Sequence, residues 1–290
     1  SARLFNGMES ATIDTLIAAG LLGAVLGSFY NVVIARLPAM LARDWRQQAE
    51  QLLELPESAA EPRFNLLVPR SRCPHCQTAV APRDNIPLLS FALLGGRCRH
   101  CRGTISWRYP AVELASGLLA AAVAWQFGLT ANALFALGLV GVSLILLAID
   151  AEHQLLPDVL TLGLLWLGLI ANLDGRFATS EDAVIGAVAG YGVLWLLFWA
   201  VKWLTGRDAM GYGDFKYLAA IGAWFGLEGV LLGLLIAATL GSLVGIGGRL
   251  SGALGRYQEV AFGPYLAIAA VTLLFAQPLL SGWLWGGLGG

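Results

Sequence analysis

The chain has 290 residues, of which 57% are hydrophobic and only 13% charged, and its mean hydropathy is +0.69. That composition excludes an ordinary water-soluble domain and fits a chain with several membrane spans. A net charge of −1 gives no electrostatic case for a nucleic-acid partner.

Residues 1–7 carry no weight in the reading. The first apolar run, from about Thr12 to Leu37, lacks a basic leader and a small-residue cleavage site, so it is expected to be a retained span and not a signal peptide. With about 20 apolar residues per membrane helix, eight spans are predicted, near 12–36, 111–128, 131–149, 158–173, 183–204, 214–227, 229–247 and 261–284. The fold class is therefore an all-α polytopic membrane protein of about eight transmembrane helices. The sixth span is short, and the sixth and seventh are expected to join at Glu228-Gly229. Gly186 with Gly190, and Gly241 with Gly245, are small-residue pairs that let helices approach closely. Trp199, Trp203, Trp283 and Trp285 lie near span ends, as an interfacial belt would.

One long polar stretch interrupts the spans. Ten of the 18 basic residues, all arginines, lie between Pro38 and Pro110. By the positive-inside rule this loop is cytoplasmic, as are the connections that carry Lys202, Arg207, Lys216, Arg249 and Arg256; the alternate connections carry only Arg176. Within the loop, Arg43 to Pro62 reads as a short amphipathic helix followed by a linker. Three parts are expected: a first membrane helix over 1–37, a cytoplasmic zinc-binding domain over 38–110, and a transmembrane domain over 111–290.

All four cysteines fall in two pairs, Cys73-Pro-His-Cys76 and Cys98-Arg-His-Cys101. Each C-x-x-C pair makes a knuckle that points two thiolates at one metal, and two knuckles complete a tetrahedral site. In a reducing cytoplasm disulfides are disfavoured, and ligand softness points to zinc. His75 or His100 could replace one ligand, but four thiolates suffice; a site closed by four cysteines is structural.

Two aspartates carry the other signal. Asp150 ends an apolar helix in Ile149-Asp150-Ala-Glu-His153-Gln-Leu-Leu-Pro157-Asp158, and Asp214 opens another in Gly211-Tyr212-Gly213-Asp214-Phe215-Lys216. Asp214 could be a helix cap and Asp150 a solvated loop acid, yet carboxylates beside hydrocarbon are costly and their default reading is functional. The charge bias puts both at the cytoplasmic face. Two carboxylates at one place share a proton, so that one is an acid and the other a base for a water. Such a pair can hydrolyse a peptide bond without a nucleophilic side chain. No G-x-S-x-G, H-E-x-x-H or phosphate-binding loop competes with it. His153 reads as an ordinary loop histidine, and Asp158 equally as a first-turn acid or a site residue.

At this point the chain resembles the type IV prepilin peptidase family along almost its whole length. The resemblance rests on Gly27-Ser28-Phe29-Tyr30-Asn31 through Arg36-Leu37-Pro38, on the segment from Arg70 to Pro110 with Glu113-Leu114, on the two aspartate motifs, and on Phe262-Gly263-Pro264-Tyr265. It implies an intramembrane aspartic protease of the bacterial inner membrane with Asp150 and Asp214 as its pair. Prepilins and pseudopilins are the implied substrates, cut after a leader glycine. It also implies N-methylation of the new terminus from S-adenosylmethionine. The chain has no glycine-rich Rossmann fingerprint for that cofactor. The methyl-donor site is therefore expected between the zinc domain and the first span, with Asn31, Arg36, Arg72, Asn85 and Glu113 as candidates. The expected partners are pilin-type substrates and membrane lipid, without nucleic acid. The competing reading is a transporter that uses Asp150 and Asp214 as a proton relay.

Overall fold

The computed structural model describes residues 12–55, 62–206, 210–252 and 261–286. These are mostly helical, with irregular stretches over 62–81 and 94–107, and the only β pairing among them is a pair of isolated bridges, Arg72 with Ala79 and Arg97 with Thr104. Each of the eight expected apolar segments falls on a helix, apart from end residues. Five helices are long and apolar enough to cross a membrane. The chain divides into two compact units, Ala11–Trp125 and Gln126–Gly290.

The first unit is built on α1 (Ile13–Leu52) and α3 (Arg108–Phe127), with the short α2 (Leu89–Leu93) and a 3-10 turn at Pro82–Asn85 between them. Thr12 caps α1 by accepting from the Thr15 N–H. At about 1.5 Å per residue, 40 residues run about 60 Å, twice the roughly 30 Å hydrocarbon layer. So α1 continues well past its apolar part. This corrects the expectation of a separate amphipathic helix after Arg43, since that stretch is the continuation of α1. Pro38 lies inside the helix, where a proline costs about 3 kcal/mol. Two features carry the helix through it: the good helix formers that follow, and a clamp across the proline, in which the Arg36 and Arg43 guanidinium groups lie 5.8 and 4.4 Å from the Phe64 ring centre. The linker part of that expectation, residues 56–61, lies outside the described residues.

Close approach of α1 and α3 depends on glycine. A β-carbon on Gly23 would stand 2.6 Å from the Ser116 carbonyl oxygen, and one on Gly27 would stand 2.8 Å from Glu113 Cα. The Ser116 hydroxyl donates to the Gly23 carbonyl at 2.7 Å, a bond that needs this short separation.

The second unit contains α4 (Ala131–His153), α5 (Asp158–Ala171), α6 (Ser180–Thr205), α7 (Tyr212–Leu250) and α8 (Gly263–Gly286). Threonine starts two of them: Thr130 accepts from the Ala133 N–H and Thr179 from the Asp182 N–H. The centre is the first half of α7, where residues 217–226 are all buried. Gly186 and Gly190 of α6 pack on the α7 backbone at Gly222, Gly226 and Leu218. Gly241 faces the Tyr265 ring, whereas Gly245 meets nothing within 4 Å.

Helix α7 breaks at Gly226, whose φ of +70° suits glycine, and not at the expected Glu228-Gly229. The break strands backbone groups, and three other elements satisfy them. Asn172 Nδ2 donates to the Ala223 and Trp224 carbonyls at 2.9 and 3.0 Å. Gln277 Nε2 donates to the Phe225 carbonyl at 3.3 Å, and Asp182 Oδ1 accepts from the Leu227 N–H at 3.2 Å. The first half of α7, Tyr212–Phe225, is thus about 21 Å long, shorter than the bilayer core.

Candidate active site and metal centre

The two cysteine pairs fold into matching knuckles 25 residues apart. In the first, the Gln77 N–H donates to the Cys73 carbonyl at 2.9 Å and the Cys73 N–H to the Thr78 carbonyl at 3.0 Å. In the second, the Arg102 N–H donates to the Cys98 carbonyl at 3.0 Å and the Cys98 N–H to the Gly103 carbonyl at 2.8 Å. Gln77 and Arg102, at φ +56° and +61°, make the left-handed step that turns each knuckle back. Gly103 is required by packing: a β-carbon there would lie 2.7 Å from the His75 ring.

Together the knuckles gather four sulfurs within 4.8 Å of one another. Cys73 Sγ is 3.8 Å from Cys101 Sγ, and Cys76 Sγ is 4.0 Å from Cys98 Sγ. A tetrahedron with zinc–sulfur bonds of about 2.3 Å has edges of about 3.8 Å, so the residues present fit such an ion. The charge state agrees. Hydrogen bonding to Thr78 holds the Cys76 thiol down to about 6, and the backbones of Cys101 and His100 lower Cys98. Against a lowering hydrogen bond from the Gly103 backbone, burial and the three neighbouring thiols push Cys101 up to about 11. Four thiols this close do not all ionise unless a cation joins them. Beside the cluster, Arg99 donates to both oxygens of Asp84 at 2.6–3.0 Å and holds that carboxyl below its usual range.

The five methyl-donor candidates all lie in this first unit and have different surroundings. Asn31 is buried in α1; its Nδ2 donates to the Tyr109 carbonyl at 3.0 Å, and its Oδ1 has no hydrogen-bond partner among the described residues. Glu113, buried in α3 against Gly27, accepts from the Leu88 N–H at 2.8 Å. Leu88 is held there at a φ of +60°, unusual for leucine. Gly27 therefore lies beside both Asn31, whose Nδ2 also reaches its carbonyl at 3.3 Å, and Glu113. Arg36 donates to the Asn65 and Pro69 carbonyls at 2.8 and 2.6 Å, pinning the loop against α1. Arg72 and Asn85 are exposed.

The aspartates belong to the second unit. Asp150 stands in the last turn of α4 and Asp214 in the first turn of α7, each only 6% exposed. Asp150 Oδ2 accepts from the Gly263 N–H at 3.0 Å, at the start of α8. A β-carbon at Gly263 would lie 2.5 Å from that oxygen, so only glycine lets the carboxylate seat there. Leu156, in the loop after α4, joins the two sites. Its side chain lies 2.7 Å from where a β-carbon on Gly213 would be and 2.9 Å from one on Gly263. Leu156 thus packs on Gly213, the neighbour of Asp214, and on Gly263, whose N–H bonds Asp150. Asp214 Oδ1 is buried without a hydrogen-bond partner among the described residues.

Asp158, in the first turn of α5, accepts twice from Lys216 Nζ at 2.6 Å. His153 is exposed with Glu152 at 4.0 Å and is the last residue of α4, not a loop residue as expected. The residue whose role sequence reasoning missed is Gly263. It was noted only within a motif, and its backbone N–H is the one hydrogen-bond donor found for Asp150; a Gly-Pro at the start of a helix was the available signal.

Comparison with known proteins agrees with this arrangement. Residues 21–127 match the bacterial peptidase A24 N-terminal domain, and residues 137–246 match the type IV leader peptidase family. The chain is 47% identical over 288 residues to the prepilin leader peptidase/N-methyltransferase of Stutzerimonas stutzeri, covering 96% of each. It is 46% identical over 282 residues to the protein of the same name from Pseudomonas aeruginosa, covering 95% of this chain and 96% of that one. It is 49% identical over 270 residues to that of Dickeya chrysanthemi, covering 92% and 94%. No solved structure matches the chain. None of these relatives supports a transporter. Family models over both units, and near-half identity over almost the whole length, lead to one conclusion: the chain belongs to the type IV leader peptidase family.

Proposed function

We propose that this protein is a bifunctional leader peptidase and N-methyltransferase, which cleaves the leader of type IV prepilins and pseudopilins and then methylates the new N-terminus. The observation that supports the peptidase reading is that Asp150 and Asp214 are both buried at helix ends, with Leu156 packed on Gly213, next to Asp214, and on Gly263, which bonds Asp150. Asp150 and Asp214 are the catalytic residues of the proposal. One carboxylate takes a proton from a water as it attacks the scissile carbonyl, and the other gives a proton to the leaving amine. The C–N bond breaks, the hydroxyl stays on the leader and the proton on the new amine. The Gly263 N–H holds Asp150 in place and the hydrocarbon walls restrict bulk water.

In the same reading the arginine-rich segment lies in the cytoplasm, which puts both aspartates at the cytoplasmic face of the inner membrane, beside lipid. Residues 1–37 serve as the first membrane helix, 38–110 as the zinc-bearing domain with the methyltransferase function, and 111–290 as the peptidase domain. Cys73, Cys76, Cys98 and Cys101 would hold a structural zinc, with no open position for substrate. S-adenosylmethionine, when bound, supplies an electrophilic methyl group. Asn31, with its free buried acceptor, and Glu113 beside Gly27 are the leading candidates to orient it or the amine, ahead of Arg36, Arg72 and Asn85.

The test is direct. Purified protein in detergent is incubated with a prepilin and S-adenosylmethionine, and product masses are read. Cleavage after the leader glycine with one added methyl group is expected. An intact substrate from folded protein would overturn the peptidase reading, and cleavage without the methyl would overturn only the second activity.

A further inference from the structure

Between the two knuckles of the first unit lies a stretch that the metal centre does not explain. From Ile86 to Gly96 the chain runs 11 residues without a charge, bounded by Arg83-Asp84-Asn85 on one side and Arg97 on the other. Its middle is α2, five residues long and far too short to hold its shape alone. The one polar side chain of the stretch, Ser90, is buried and turned inward: its Oγ accepts from the Ile86 N–H at 2.9 Å and donates to the Arg83 carbonyl at 3.0 Å. Its large apolar side chains are left uncovered. Leu89 and Leu93, four residues apart on one face of α2, are 51% and 77% exposed. Trp107, whose ring centre is 4.9 Å from that of Phe91, is 76% exposed.

The helices that hold this stretch fix its height. The Leu88 N–H donates to Glu113 at 2.8 Å, and Trp107 directly precedes α3. With 20 residues, α3 is about 30 Å long and matches the hydrocarbon layer of a bilayer. Glu113 stands 14 residues from the far end of α3 at Phe127, about 21 Å, which puts it about 9 Å inside the near boundary of that layer. The level from α1 is the same. Glu113 packs on Gly27, which is also 14 residues from the far end of its helix, at Ile13. Tied to Glu113 at Leu88 and to Trp107 at Phe91, α2 therefore lies in the outer part of the layer. An amphipathic helix at an interface seats about 5–10 Å into this boundary. The backbone suits such a setting: the N–H groups of Ile86, Leu88, Ser90, Ala92, Leu94 and Gly96 find acceptors within the stretch or on Glu113, without water. Arg83 and Arg97, both exposed, flank it with the charge that anionic headgroups attract.

We propose that residues 86–96, with Trp107, form an interfacial anchor that dips into the lipid bilayer beside α1 and α3. Leu89 and Leu93 lie among acyl chains, and Arg83 and Arg97 among headgroups. Because Cys98 follows the stretch by two residues, the anchor holds the metal knuckles at the membrane surface. The proposal rests on α1 and α3 as membrane spans and on neither enzymatic activity.

The experiment places the full chain in vesicles of phosphatidylethanolamine and phosphatidylglycerol that contain a small fraction of a lipid with a diazirine on its acyl chain. After irradiation, tryptic peptides are mapped by mass. Cleavage at Arg72, Arg83 and Arg97 releases 73–83, with the first knuckle, and 84–97, with the anchor, so two parts of one unit are compared directly. Acyl-chain adducts are expected on 84–97 at least tenfold more often than on 73–83. Leu93→Glu should lower the adducts on 84–97 at least fivefold, because a carboxylate is expelled from acyl chains, while metal content stays as in the wild type. Labelling of 84–97 no greater than that of 73–83, or labelling by a headgroup diazirine alone, would overturn the proposal. A cross-link from 84–97 to a second copy of the chain, in place of lipid, would overturn it in favour of a protein interface. If Leu93→Glu does not fold, the ratio of the two wild-type peptides decides. A chain that is labelled as expected but leaves prepilin intact keeps the anchor and loses the peptidase reading, and one that cuts and methylates without acyl-chain labelling loses the anchor alone.

Discussion

The metal centre of the first unit and the carboxylate pair of the second are both small clusters of ionisable side chains, but the fold assembles them in opposite ways. The four sulfurs come from two knuckles, each closed by hydrogen bonds within five or six residues of chain, and a single cation suffices to join them. The two carboxylates come from helix ends 64 residues apart in sequence, and what packs beside them is spread along the chain: Leu156, six residues after Asp150 and 58 before Asp214, and Gly263 at the start of α8, 113 residues after Asp150. A locally built site depends on its ligand and tolerates change elsewhere. A site assembled by packing depends on every helix that frames it. Asp214 Oδ1 is buried within that framework with no hydrogen-bond partner among the described residues.

The largest effect expected concerns the packed site. Asp150→Asn and Asp214→Asn each remove the carboxylate pair while keeping shape and most hydrogen-bonding capacity. Each is expected to lower prepilin cleavage by about a thousandfold or more, because neither remaining carboxylate can serve as both acid and base. Thermal unfolding in detergent should stay close to wild type, since an amide in a buried site avoids the desolvation of a charge. Measured cleavage by both variants near the wild-type rate would end the assignment. The same variants should still bind metal, measured by elemental analysis, because the cysteine cluster draws nothing from α4 or α7.

The reverse experiment acts on the local site. Cys73→Ser, or a strong chelator on the wild type, is expected to remove bound metal and loosen the first unit, because metal binding to such knuckles is itself folding free energy, on the order of 10 kcal/mol. Methylation should fall at least tenfold, and cleavage much less, as followed by product mass. Acidification works in the same direction, since the ligands must be thiolates to bind the ion. Full metal content in Cys73→Ser would break the four-thiolate assignment. Equal loss of both activities would show that the two units are coupled more tightly than their separate cores imply.

The contrast also explains what could be read from the residues before the fold was known. Two C-x-x-C pairs declare a tetrahedral site because the chemistry is written in local spacing. The apolar runs declare helices for the same reason. Asp150 and Asp214 were suspect as costly charges beside hydrocarbon, but the packing of Leu156 on Gly213 and Gly263 beside them depends on how the helices come together, which spacing does not encode. Pro38 lies inside α1 and does not end it, and the Arg36 and Arg43 contacts with Phe64 across it are tertiary contacts that spacing does not encode. The break in α7 was placed near Gly229, yet it falls at Gly226. Several glycines there could have turned the chain, and the choice is made by Asn172, Gln277 and Asp182, which receive the stranded backbone groups at that one position.

The smallest effect is expected at the boundary between these two kinds of construction, the ion pair of Asp158 with Lys216. Its geometry is close, two contacts of 2.6 Å, and it ties the start of α5 to the start of α7 beside the aspartates. Yet the Asp158 side chain is 60% exposed and that of Lys216 25% exposed, so water screens the pair, and such contacts contribute about 1 kcal/mol or less. Asp158→Asn or Lys216→Met should lower the thermal midpoint by no more than about 4 °C. The charge-reversed double variant, Asp158→Lys with Lys216→Asp, should recover part of the loss, and a double-mutant cycle isolates that share. Cleavage should change by less than about threefold in the single variants, on the view that the seats of Asp150 and Asp214 are set by Gly263, Gly213 and Leu156 and not by this surface pair. A much larger fall in kcat, without a matching fall in stability, would mean that the position of α7 at Asp214 is controlled from its exposed end, and the packed site would then depend on a solvent-screened contact as well as on its buried frame.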